Sequence, residues 1–126
     1  MPKILIVEDE ETQRHALRDN LLEKNFTILE AKDGIEGLEI ALREHPDLIL
    51  LDVRMPNMDG ITMMHELRKD KWGKKASIII LTNYDTSDSQ LLQITEDLPS
   101  YYLMKADTPL DKILEKIEQE LKSKKL

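Results

Sequence analysis

Short apolar runs recur along the chain, and polar residues bound each of them. Runs without alternation are typical of strands covered on both faces, as in a parallel sheet. A fifth segment, "FTILEA", instead places Phe26 and Ile28 on one face of a strand. We therefore predict five strands: Ile4–Val7, Phe26–Ala31, Leu48–Leu51, Ile78–Leu81 and Tyr101–Met104.

Helical spacing of apolar residues fills the gaps between these strands. Asp33 precedes Glu36 by three residues, which is an acid-first variant of the capping box. Thr108-Pro109 pairs a capping residue with proline at the first helical position. We predict helices over Thr12–Lys24, Gly34–Glu44, Ile61–Asp70 and Ser87–Asp97, and a last helix from Thr108-Pro109 onward.

The alternation of strands and helices predicts an α/β fold. Strands joined by single helices must be parallel with right-handed crossovers. The economical architecture is one doubly wound, five-stranded sheet with helices on both faces. In such sheets the functional crevice lies beyond the carboxyl ends of the strands, where the strand order reverses.

Composition narrows the class of protein. The 126 residues are 40% hydrophobic and 34% charged, which suits a single globular domain. The net charge of −7 argues against direct nucleic-acid binding. With no cysteine, no long apolar segment and no signal-like start, we expect a cytoplasmic protein that does not enter a membrane.

Side chains with chemical function follow four of the predicted strands. Glu8 and Asp9 follow the first strand, and Asp52 follows the third. Thr82 follows the fourth strand, and Lys105 follows the fifth. Because the carboxyl ends of parallel strands meet at one edge of the sheet, we expect these five side chains to lie together.

Three clustered carboxylates repel one another unless a cation joins them. Oxygen ligands without His or Cys favour a hard ion, and few protein ligands favour Mg²⁺, with Mn²⁺ as a substitute. With Lys105 and Thr82 nearby, the cluster suits a phosphoryl group, and Asp52 could be its nucleophile. Taken singly, the acidic residues Glu8–Glu11 are also typical of the first turn of a helix. Thr82 or Lys105 alone could equally be an ordinary residue at the end of a strand.

The chain resembles the receiver domains of two-component response regulators over essentially its whole length, residues 1–126. The resemblance rests on five segments in the expected order: "ILIVEDE", "AKDGIEGLEIA", "PDLILLDVRMPNMDG", "IIILT" and "YYLMK". It implies a flavodoxin-like (βα)5 domain with strand order 2-1-3-4-5, as in the chemotaxis receiver.

The resemblance also implies roles for single residues. Asp52 would be the phosphoacceptor and a Mg²⁺ ligand. Asp9 would bind Mg²⁺ directly and Glu8 mainly through water, while the backbone carbonyl of Arg54 would complete the protein ligands. Thr82 and Lys105 would hold the oxygens of the phosphoryl group. Tyr102 would be the aromatic switch residue, which turns inward when Thr82 moves toward the phosphate.

Several positions depart from the family pattern. Ala106 stands where proline usually follows the lysine, and Asn83 replaces a small residue. Leu98-Pro99-Ser100 stands in place of the usual Gly-Ala turn. Arg54 and Tyr84 occupy positions that tune the lifetime of the acyl phosphate in the family. We expect an altered lifetime from these positions together with Asn83.

The implied function is that of a signalling receiver rather than a conventional enzyme. It would take a phosphoryl group from a sensor histidine kinase or a histidine phosphotransfer protein. Its output would be a changed protein surface on predicted helix four, strand five and helix five, read by a downstream protein target or a tethered output domain. The last helix carries an apolar stripe that could also support a homodimer. The stripe is formed by Leu110, Ile113, Leu114, Ile117 and Leu121.

Two alternatives remain open. A pseudo-receiver would signal by docking without phosphorylation, although the five site residues are intact. A small Mg²⁺-dependent phosphatase with an aspartyl nucleophile would need a second acid two residues after Asp52, where Arg54 stands. Elsewhere we expect His15, His45 and His65 to be surface residues without partners. We expect the basic run around Trp72 to form a solvated loop with a half-buried indole; the run consists of Arg68, Lys69, Lys71, Lys74 and Lys75.

Overall fold

The computed structural model describes residues 2–82, 93–94, 96–105 and 108–123, over which strands and helices alternate. The elements are β1 Lys3–Val7, α1 Glu11–Leu22, β2 Thr27–Ala31, α2 Gly34–Glu44, β3 Leu48–Leu51, α3 Gly60–Arg68, a 3-10 turn Gly73–Lys75, β4 Ile78–Thr82, β5 Tyr101–Met104 and a C-terminal helix Leu110–Ser123. Of the predicted helix 87–97, residues 93, 94, 96 and 97 are helical and the remainder lies outside the described residues.

The five strands form one parallel sheet with the order β2-β1-β3-β4-β5, as predicted. Val7 at the end of β1 is level with Ala31 of β2 and Leu51 of β3. Thr82 at the end of β4 is level with Met104 of β5. β2 lies on one side of β1 and β3 lies on the other. The strand order therefore reverses at β1, and a crevice opens at the carboxyl ends of β1 and β3.

Alternate strand residues pack into two apolar layers, one on each face of the sheet. Leu5 and Ile49 face α2 and α3, while Ile4 and Leu48 face α1 and the C-terminal helix. The strands β1, β3 and β4 are buried on both faces, which explains their uninterrupted apolar sequences. β2 is half-buried, and its sequence carries the polar residues Thr27 and Glu30.

Two aspartates fix where helices begin near the crevice. The carboxylate of Asp33 accepts a hydrogen bond from the backbone N–H of Glu36 at 2.8 Å and so caps α2, as predicted. Asp59 caps α3 in the same way through the N–H of Thr62 at 2.9 Å. Gly60 follows directly, and a Cβ there would lie 2.0 Å from the backbone oxygen of Asp52. Only glycine lets α3 start this close to the end of β3.

The three histidines lie at the surface as expected, but each has a partner, so the expectation that they lack partners was wrong. His45 ends α2 in a left-handed conformation and stacks on Trp72, with ring centroids 4.4 Å apart. Nδ1 of His65 lies 3.3 Å from a carboxylate oxygen of Asp97, and Nε2 of His15 lies 3.7 Å from a carboxylate oxygen of Glu30. Each contact joins residues from different elements, which sequence spacing does not reveal.

Among the described helices, none has both the length and the apolar character needed to cross a membrane.

Candidate phosphoryl-acceptor site

Backbone hydrogen bonds hold Glu8 and Asp52 side by side at the crevice. The N–H of Glu8 donates to the carbonyl of Ala31 at 3.0 Å, and the N–H of Asp52 donates to the carbonyl of Val7 at 3.0 Å. The parallel ladder thus continues one residue beyond β1 and β3. Both side chains are buried, with 3% of Glu8 and 8% of Asp52 exposed, while Asp9 is exposed.

Carboxylate oxygens of Glu8, Asp9 and Asp52 all lie within 4.8 Å of one another. Burial, together with the charge of Glu8, raises the pKa of Asp52 to about 7. Burial and the same neighbouring charge also raise the pKa of Asp9. Three clustered carboxylates, two of which have raised pKa values, fit a hard divalent cation such as Mg²⁺. The residues present therefore suit the predicted metal.

Lys105 reaches the same crevice from the end of β5. Its Nζ lies 2.5 Å from Oε1 of Glu8 and 2.6 Å from Oε1 of Gln13. Burial raises the pKa of Glu8, but the hydrogen bond and charge of Lys105 outweigh it and leave that pKa below the ordinary value. Within the described residues, the ion pair of Lys105 is with Glu8 and not with Asp52.

The remaining predicted residues surround this cluster at different depths. Thr82 is completely buried at the end of β4. Tyr102 is half-buried and packs against the apolar layer under α2 and α3. Arg54 is exposed and lines an open cleft with Asp9 and Asp52. Three residues singled out from the sequence lie outside the described residues: Asn83, Tyr84 and Ala106.

Two residues of α1 that sequence reasoning did not select also contact the site. Gln13 accepts a hydrogen bond from Lys105, and Nη1 of Arg14 donates to the backbone oxygen of Glu8 at 2.9 Å. Arg14 also donates to a carboxylate oxygen of Glu30 at 3.1 Å. Only the position of these two residues in the sequence could have indicated that they lie at the site, because the first turn of a helix that follows β1 must lie near the carboxyl ends of the strands.

Comparison with known proteins decides the family. Residues 4–118 match the response regulator receiver domain family. The chain belongs to this family. The transcriptional regulatory protein ResD of Bacillus subtilis is 36% identical over 112 residues, which cover 89% of this chain and 45% of that protein. This receiver domain thus spans under half the length of the curated relatives it matches.

Solved structures agree with this assignment. A CheY-like receiver domain protein of Methanospirillum hungatei has a TM-score of 0.89 at 25% identity, covering 99% of this chain and 97% of that one. The response regulator TrrA of Thermotoga maritima, solved with Mg²⁺ and BeF, has a TM-score of 0.81 at 33% identity, covering 95% of this chain and 99% of that one. The flavodoxin-like fold predicted from the sequence is confirmed.

Proposed function

We propose that this receiver domain accepts a phosphoryl group onto Asp52 in a Mg²⁺-dependent reaction. The observation that carries the proposal is the cluster itself: a buried aspartate beside two further carboxylates, with a lysine ammonium and a buried threonine at neighbouring strand ends. The family and the Mg²⁺–BeF complex of a relative support the same interpretation.

Glu8, Asp9, Asp52 and the backbone carbonyl of Arg54 would hold the Mg²⁺ ion. When bound, the ion supplies positive charge that neutralises the carboxylates and the oxygens of the incoming phosphoryl group. The cleft beside Asp9 and Arg54 is open to solvent, so a phosphate-bearing partner can approach from that side. Mn²⁺ would serve as a substitute because it also prefers oxygen ligands.

The protein's own part in the transfer is to present and orient a nucleophile. The backbone N–H of Val53 donates to Oδ1 of Asp52 at 2.9 Å, which fixes the plane of the carboxylate. A carboxylate oxygen of Asp52 attacks phosphorus, the N–P bond of a phosphohistidine breaks, and the electron pair returns to the leaving imidazole. Lys105 and Thr82 would hold the oxygens of the transferred group.

The donor would be a sensor histidine kinase or a histidine phosphotransfer protein. Movement of Thr82 toward the phosphoryl group would let Tyr102 turn inward and change the surface around β5 and the C-terminal helix. A downstream protein target, a tethered output domain or a second receiver would read that surface. Residues 1–126 would form one receiver unit. The residues Arg54, Asn83 and Tyr84 would set the lifetime of the phosphorylated state.

The test is intact-mass measurement after incubation with acetyl phosphate and Mg²⁺, and again with a phosphorylated kinase as donor. Asp52→Asn is the test variant, and Asp59→Asn is the matched control because asparagine also caps a helix. We expect one added phosphoryl group on the wild type and the control, and none on Asp52→Asn or after chelation of the metal.

An adduct that survives in Asp52→Asn would move the acceptor to another residue and refute the assignment. If neither donor modifies the wild type, even in rapid-quench samples with Mg²⁺ bound, the domain is a docking module that signals without phosphorylation. Formation of the adduct in a chelator would refute the metal requirement.

A further inference from the structure

The side-chain amide of Gln13 lies between two charged groups at the mouth of the site. Its Oε1 accepts from Nζ of Lys105 at 2.6 Å, and its Nε2 donates to Oε2 of Glu10. An ammonium can only donate and a carboxylate can only accept, so these partners allow one orientation of the amide. Glu10 is itself tied to the site, because its N–H donates to Oε2 of Glu8 at 3.2 Å.

We propose that Gln13 is a positioning residue for Lys105 that holds the ammonium in place for the phosphoryl group on Asp52. This inference rests on the proposed function and adds a residue to it. A lysine ammonium has three N–H donors, and Glu8 and Gln13 take two of them. The third would donate to an oxygen of the phosphoryl group.

The reason that a second acceptor matters is the flexibility of lysine. A lysine side chain has four rotatable bonds and gives up much conformational freedom when it is fixed. Glu8 alone would hold the ammonium at one point, about which it could rotate. Gln13 adds a second point from a different element, since α1 carries Gln13 and β5 leads into Lys105. Catalytic groups that are fixed beforehand need less reorganisation during transfer.

An ordinary structural role for Gln13 is the competing explanation. Gln13 occupies the first turn of α1, three residues after the N-cap Glu10, where glutamine often supports a helix end. That role would affect the stability of α1 but would not depend on Lys105. The two explanations therefore differ in whether the effect of replacing Gln13 requires the lysine.

The experiment uses Gln13→Met, Lys105→Met and the double variant, with Gln119→Met on the C-terminal helix as the matched control. Initial phosphorylation rates with acetyl phosphate and Mg²⁺ form a double-mutant cycle. We expect Gln13→Met to slow phosphorylation roughly three- to tenfold, which is the net size of an average hydrogen bond in a protein, and to have no further effect once Lys105 is replaced. Gln13→Glu keeps an oxygen acceptor for Lys105 but loses the donor to Glu10, so it should restore part of the rate.

A second readout needs no phosphoryl transfer. Acetylation of Lys105 by an amine-reactive reagent, measured by peptide mass spectrometry relative to exposed Lys112, should rise about threefold or more in Gln13→Met and stay unchanged in Gln119→Met. Unchanged labelling, or an equal rate loss with and without Lys105, would overturn the inference. Failure of the proposed function would show differently, as a wild type that takes no phosphoryl group while the labelling still responds to Gln13→Met.

Discussion

Replacing Asp52 with asparagine should stabilise the metal-free protein, and the gain should grow with pH. Burial and the charge of Glu8 raise the pKa of Asp52 from the ordinary 3.8 to about 7. That is a difference of about three units, and each unit corresponds to about 1.4 kcal/mol. The limit for a fully ionised Asp52 is therefore about 4 kcal/mol. Because the three carboxylates titrate together, we expect about 2–3 kcal/mol in practice.

The direction follows from the sign of the shift. A carboxyl group whose pKa is higher in the folded state binds protons more tightly there than in the unfolded chain. Its favourable contribution is fully present below the unfolded pKa of about 4 and is lost as pH rises through about 7. The asparagine side chain of the variant carries no charge at any pH. The advantage of Asp52→Asn should thus be small near pH 4 and largest above pH 7.

Urea unfolding followed by the fluorescence of Trp72, the single tryptophan, measures this free energy. Wild type and Asp52→Asn are compared in a chelator across this pH range, with Asp19→Asn on the exposed surface of α1 as the control. If the proposed Mg²⁺ site is correct, saturating Mg²⁺ should shrink the difference, because a ligand that binds the folded wild type stabilises it. A variant that is less stable than wild type above pH 7, or a gain that does not change with pH, would refute the reasoning.

Three further predictions concern residues outside the carboxylate cluster. Asp33→Ala should lower the free energy of unfolding in urea by about 1–2 kcal/mol, because it removes the cap of α2 and the hydrogen bond from Asn57 at 2.9 Å. The N–H of Glu36 is the main cause that lowers the pKa of Asp33, so this loss of stability should fade as the carboxylate is protonated in acid. A loss that does not depend on pH would contradict this. Arg68→Met should lower the free energy of unfolding by about 2–4 kcal/mol, since the guanidinium donates at 2.7–3.0 Å to four backbone carbonyls. The control Lys69→Met should change it by no more than about 0.5 kcal/mol, and equal losses in the two variants would show that the four hydrogen bonds contribute little. Gly60→Ala should destabilise the fold by about 2 kcal/mol or more, because its Cβ would collide with the backbone of Asp52. The same collision should weaken Mg²⁺ binding, which calorimetry measures. Normal Mg²⁺ affinity in a folded variant would show that the start of α3 does not affect the metal site.

Much of the architecture follows from local sequence. Unbroken apolar runs predict strands covered on both faces, as β3 and β4 are, and Phe26 and Ile28 lie in the same apolar layer, as predicted. The Asp33 cap was also correctly predicted, because a cap joins residues only three apart. Parallel pairing then carries Glu8 and Asp52 to the same edge, since the register of the strands places their ends level.

The tertiary structure decides which of several available partners each side chain takes. Lys105 could pair with any of the site carboxylates, and it pairs with Glu8 and Gln13, which lie 97 and 92 residues away. His45 on Trp72 and Arg68 against Asp97 are likewise contacts between separate elements. Such choices depend on distances and rotamers set by the packing of whole helices against the sheet. The order of residues thus determined where the functional groups gather, and only packing determined how they are paired.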